Sequence, residues 1–202
     1  MSNLPVLEER EYTILELLAA FNPKNIWEIG VGQPELCRSQ AFMPTGIPIK
    51  LFEPFYPNYK KLTEAYGSFP NVDIFNIAVF DKDGEIEFNH DNECSWVEGV
   101  TSPTVFFGNP PREKAKVPCC KLSRFDHGQI DVALIDVEGS EWNVISQIVS
   151  RPRLLVMEMF MKNDEQKKVY TTPGFEEIKK WLVENKYKVF LNQYTDVWFY
   201  KD

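Results

Sequence analysis

The stretch IDVALIDVEGSE, residues 130–141, decides how the chain folds. Its first seven residues form a nearly continuous apolar run, the pattern of a central strand covered on both faces. The run ends in Asp136, Glu138 and Glu141, three carboxylates at the carboxyl end of a strand, where open α/β sheets bind ligands. Acidic residues also suit the first turn of a helix, because they complement the positive end of its dipole. That reading accounts for Glu141 better than for Asp136, which closes a deeply apolar strand.

Outward from this stretch, helix and strand patterns alternate. Residues 6–21 carry Leu7, Ile14, Leu15, Leu17 and Leu18 among acids, an amphipathic helical pattern, and an Asn-Pro-Lys sequence stops it. Residues 25–30 read as a short strand breaking into a glycine turn. Pro34 to Met43 reads as a helix, with proline in its first turn. A second strand, 48–54, ends in Glu53 and Pro54, and a helix follows over 57–66. Residues 72–80 read as a third strand, 85–88 as a hairpin arm and 116–120 as a short strand. Residues 89–116 read as an irregular excursion, a candidate lid with Trp96, Val105, Phe106 and Phe107 as apolar contacts. Beyond the decisive stretch come a helix over 140–150, a buried strand over 154–159, a helix over 174–185 and a terminal hairpin. This alternation predicts one α/β domain, residues 1–202, with a mostly parallel sheet, helices on both faces and an antiparallel edge strand.

Composition narrows the function. The 202 residues carry 22 basic and 30 acidic side chains, a net charge of −8, which disfavours nucleic acid as a partner. No apolar run approaches the roughly 20 residues that span a bilayer, so no membrane partner is expected. Cys37, Cys94, Cys119 and Cys120 lack zinc-ligand spacing and read as reduced thiols of a cytoplasmic protein. Only His90 and His127 are available as histidines, and no metal site is expected.

Two further motifs carry chemistry. Glu28-Ile29-Gly30-Val31-Gly32 places a glycine turn after the first strand, where a ligand can approach the backbone. Glu28 suits a cationic group such as a ligand ammonium. The third glycine of a dinucleotide fingerprint would fall at Glu35, which argues against an NAD-dependent oxidoreductase. Glu53, about twenty residues on, occupies the position from which a carboxylate accepts ribose hydroxyls.

In order along the chain, WEIGVG, LFEPFYPNYKKL, NIAVFDKDGEIEF, IDVALIDVEGSEWNVI and LLVMEM resemble the FkbM family of S-adenosylmethionine-dependent methyltransferases over roughly residues 25–160. The resemblance implies a Rossmann-like class I methyltransferase sheet of seven strands, the last inserted antiparallel. It implies S-adenosylmethionine as cofactor and O-methylation of a hydroxyl on a small molecule or glycan. Glu28, Gly30 and Gly32 would line the methionine end, Glu53 the ribose, and Asn76, Ile77 and Ala78 the adenine. Asp136 would stand beside the methionine or the substrate, and Glu138 would face the open cleft. Two positions depart from the family pattern: Pro34 stands where many such enzymes have a third glycine, and Leu134 where the family has lysine. A catalytically degenerate binding module is the competing non-enzyme reading. His90 is the first candidate for a general base, with Glu138 and Glu158 as alternatives. A homodimer, if formed, would draw on Trp142, Trp181 or Trp198.

Overall fold

The computed structural model describes residues 13–91, 94–103, 111–159, 161–163, 169–193 and 196–201. Its centre is a seven-stranded sheet. The strands that build it are β1 (Ile26–Ile29), β2 (Ile49–Phe52), β3 (Val72–Phe75), β8 (Val132–Ile135), β9 (Leu154–Glu158), β12 (Lys188–Gln193) and β13 (Asp196–Tyr200). They lie in the order β12-β13-β9-β8-β1-β2-β3. All neighbours pair parallel except β13, which runs antiparallel between β9 and β12. The order doubles back beside β1, so the carboxyl ends of β1 and β8 diverge into separate loops and leave a crevice.

The decisive apolar run behaves as its composition requires. Val132 and Leu134 point into one core, with Leu17 and Leu18 of α1 (Ile14–Phe21) and Leu62 of α2 (Tyr56–Tyr66). Ala133 and Ile135 point into the other, with Val144 and Ile145 of α3 (Glu141–Ile145) and Ile178 and Leu182 of α4 (Phe175–Glu184). Helices therefore cover both faces, and the strand reads as continuously apolar because neither face meets water. Trp198, a candidate for an exposed dimer surface, is 1% exposed in the first of these cores.

Three expectations are corrected. The third strand stops at Phe75, and Ala78–Val79 forms β4 in a different sheet. Pro34–Met43 is not an α-helix; it makes two 3-10 segments, Pro34–Leu36 and Gln40–Thr45, broken at residues 37–39. The break has a cause: the amide N–H groups of Arg38 and Ser39 bond to the Glu28 carboxylate and not to carbonyls one turn back. Residues 89–116 begin and end in strands. β5 (Gly84–Asp91), β6 (Cys94–Val97) and β7 (Glu113–Cys120) join β4 in a four-stranded sheet of order β4-β7-β5-β6. Trp96 is 2% exposed within it, while Val105, Phe106, Phe107 and the part of the first helix before residue 13 lie outside the described residues. A separate hairpin pairs β10 (Met161–Asn163) with β11 (Val169–Thr171). Among the described residues no helix is long and apolar enough to cross a membrane, and the four cysteines are unbridged.

Candidate functional site

The crevice at the ends of β1, β2 and β8 opens into a cavity of about 280 Å³. Its floor is Glu28, Gly30 and Gly32 from the β1 loop, Glu53 from the end of β2, and Asp136 and Glu138 from the end of β8. Its other wall is the smaller sheet, through Phe88, Cys94, Ser95 and Val97, with Ile77 and Ala78 at the junction. The sequence reading thus brings eight of its candidates to one cavity. Asn76 and His90 stand just outside it.

Gly30 is fixed by crowding. Its φ is +83°, and a Cβ there would sit 1.7 Å from the carbonyl oxygen of Asp136. Only glycine lets the β1 loop pass this close to the β8 loop. Gly32, also at positive φ, donates its N–H to Glu53 Oε2 at 2.8 Å.

The two buried glutamates differ in what occupies them. Glu28 Oε1 accepts from the Arg38 N–H at 2.8 Å. Its Oε2 accepts from the Ser39 N–H at 3.0 Å, the Ser39 hydroxyl at 2.6 Å and the Cys37 thiol at 3.5 Å. Burial raises its pKa, and the Ser39 and Arg38 hydrogen bonds work against the rise. The Glu28 carboxylate, expected at a ligand ammonium, lines the cavity and also shapes the loop of residues 37–39. Leu134, where the family pattern has lysine, lies opposite Glu28 in the β1–β8 register and is 1% exposed, so this departure falls in the core.

Among the described residues Glu53 makes two bonds, Oε2 accepting from the Gly32 N–H and Oε1 from the Phe55 N–H, both at 2.8 Å. A carboxylate offers about four lone-pair sites, so each oxygen keeps one for a ligand hydroxyl. Burial pushes its pKa to about 7, with those two amides pulling down. Asn76 acts beneath it: its amide NH₂ donates to the carbonyls of Glu53 and Pro54, each at 2.9 Å, and clamps the loop after β2.

The β8 end holds the densest charge. Arg38, unremarked in the sequence, donates from Nη2 to Asp136 at 2.8 Å and lies 3.2 Å from Asp196 of β13. Glu138 takes a positive φ of 52°; burial, then the Asp136 charge, raises its pKa to about 7, against a hydrogen bond from Cys94. Burial, then the charges of Asp136, Glu138 and Glu141, push the Glu158 carboxyl well above the ordinary carboxylate range, and a hydrogen bond with Asp136 adds to the rise. Glu141 is driven to about 8, mainly by burial, and among the described residues its Oε2 has no hydrogen-bond partner. Asp136, Glu138 and Glu158 each offer one oxygen within 4.8 Å of the others, a grouping able to share a proton or a metal ion. Chain spacing gave no hint of it, because Glu158 arrives on the next strand.

His90 lies at the rim. Its ring stacks on Phe55 with centroids 4.0 Å apart, and its Nδ1 lies 2.8 Å from Ser95 Oγ. The roof therefore grips both walls, through His90 on Phe55 and Cys94 on Glu138.

Comparison with known proteins gives one decisive result: residues 47–189 match the family described as the methyltransferase FkbM domain. No curated protein matches the chain. A solved structure of the methyltransferase domain of bacterial CtHen1 aligns with 93% of this chain and 94% of its own, at 13% identity and a TM-score of 0.49.

Proposed function

The chain belongs to the FkbM methyltransferase family, and from that premise we propose that it moves the methyl group of S-adenosylmethionine to a hydroxyl of a small molecule or glycan. The sheet order, with β13 inserted antiparallel, supports reading the fold as the class I, Rossmann-like methyltransferase arrangement. The observation that carries the cofactor assignment is Glu53, a buried carboxylate at the end of β2 with one unspent lone pair on each oxygen.

The donor set fits that cofactor. Glu53 would hold the ribose hydroxyls, Ile77 and Ala78 would flank the adenine, and Asp136 would face the ammonium while Arg38 holds its carboxylate in place. Asn76 serves by fixing the loop under Glu53, and Glu28 by fixing residues 37–39. The bound cofactor supplies an electrophilic methyl group on a sulfonium, a cation that an acid-lined cavity favours. What the chain must add is alignment of the acceptor oxygen and a place for its proton; positioning alone supplies much of the rate. Glu138, at about 7, and His90 are the groups poised to accept that proton near neutral pH.

Calorimetric titration with S-adenosylmethionine, S-adenosylhomocysteine and NAD tests the cofactor. Micromolar binding of the first two with none of NAD is expected. Methyl-labelled cofactor offered with a panel of hydroxylated sugars and phenols then tests transfer. Tight binding with no labelled product from any acceptor would favour a binding module over an enzyme.

A further inference from the structure

The roof of the cavity contains a pair that the cofactor does not need. On the β5–β6 hairpin, Phe88 faces Val97 and His90 faces Ser95 across the ladder. Cross-strand partners share a face, and residues two apart on a strand share it too. Phe88, Val97 and Ser95 all line the cavity, so His90 stands on the cavity side of the hairpin, behind Ser95. The Phe55 stack holds the ring, and 2.8 Å separates Nδ1 from the Ser95 oxygen.

We propose that Ser95 is the group that meets the acceptor hydroxyl, and that His90 takes up the acceptor's proton through it. This rests on the methyl-transfer reading above. As the acceptor oxygen bonds to the methyl carbon, the carbon–sulfur bond breaks and its electron pair stays on sulfur. The acceptor proton passes to Ser95 Oγ while the serine's own proton moves to His90 Nδ1. The resulting imidazolium loses a proton to water and returns to its starting state. Ser95 is the catalytic residue in this scheme and His90 acts through it.

The surroundings leave the imidazole ready to accept. Burial lowers the His90 pKa, assisted by Lys61 of α2. Glu113, opposite on β7, the adjacent Asp91, itself paired with Arg112, and a hydrogen bond to the Cys94 backbone oppose that shift without reversing it. The balance favours the neutral imidazole. Relay requires the neutral tautomer with its proton on Nε2, because Nδ1 must accept from the serine. A cross-strand hydrogen bond that served only to hold the hairpin would work equally well with Nδ1 as donor.

Nitrogen-15 NMR of the protein saturated with S-adenosylhomocysteine reads the tautomer directly, and His127→Asn assigns the two ring systems. Nε2–H with a bare Nδ1 is expected; Nδ1–H would overturn the relay. On the acceptor found by the label screen, His90→Gln and Ser95→Ala should each lower kcat roughly a hundredfold. The KM for S-adenosylmethionine should stay within twofold, and the double variant should be no slower than either single. The limb of the kcat profile below about pH 6.5, the ordinary histidine value, should vanish in His90→Gln. Additive losses or a surviving limb would overturn the proposal. Retained S-adenosylhomocysteine binding shows that each variant is folded. If no acceptor is methylated, the functional reading fails on its own, and the tautomer still decides whether Ser95 can hand its proton to His90.

Discussion

Glu28 lies one residue before the end of β1, Glu53 directly follows the neighbouring strand β2, and each is 3% exposed. By burial and residue type they are indistinguishable. They differ in donors: the loop after β1 turns four donors onto Glu28, while Glu53 receives only two amides. Glu28 Oε2 is fully occupied and its Oε1 takes one donor, so this carboxylate chiefly holds its own loop, whereas both Glu53 oxygens keep a site open for a ligand. Counting lone pairs separates the two roles where burial cannot.

The contrast can be broken at several points. The largest effect is expected in the loop that separates the two carboxylates. Gly30→Ala drives a methyl group into the Asp136 carbonyl at positive φ, and should cost more than about 4 kcal/mol, the range reserved for backbone strain and similar disruptions. Urea unfolding of this variant against wild type measures it; a loss near 1 kcal/mol would mean that the two loops do not approach as described. Next, Glu28→Ala strands several donors in a buried site, each costing about 1–3 kcal/mol. A loss of about 3 kcal/mol, or roughly 6–12 °C in Tm, is expected. If Glu28→Gln kept its Tm but lost cofactor binding, the two glutamates would have exchanged roles.

A smaller effect lies in pH. Glu53 titrates near 7 in the fold against about 4.3 in an unfolded chain. Between those values the folded state holds a proton that the unfolded state has released, so stability of the ligand-free protein falls as pH rises through that window. Glu53→Gln removes this contribution and should flatten the decline between pH 5 and 8 by on the order of 1–2 kcal/mol. Urea midpoints at the two pH values report it, and identical slopes in both proteins would show that Glu53 ionises freely.

The central sheet was legible because its code is local. A strand buried on both faces must be apolar throughout, and residues 132–135 satisfy that without reference to any other part of the chain. The ends of β1, β2 and β8 were legible for a related reason, since glycine turns and terminal acids mark them. The roof was not. β7 carries Pro118 and follows Pro110 and Pro111, residues that punctuate a chain, yet it pairs with β5 over seven positions. Those pairings are non-local, and no short-range pattern encodes them. Arg38 was invisible for the same reason: its partners, Asp136 and Asp196, lie 98 and 158 residues away. The helix expected over Pro34–Met43 failed because propensity ignores a competing acceptor, and Glu28 is that acceptor. His90 was visible as a histidine, but its link to Ser95 needed the register of the hairpin.

The most direct measurement is calorimetric titration of Glu53→Ala with S-adenosylmethionine. Two charge-assisted hydrogen bonds, at about 1.5–3 kcal/mol each, are lost with the side chain, so affinity should fall at least roughly a hundredfold, while the two stranded amides of Gly32 and Phe55 cost the variant on the order of 2 kcal/mol of stability and leave it folded. Wild-type affinity in the folded variant would show that Glu53 does not hold the ribose, and the assignment of this cavity to the cofactor would be wrong.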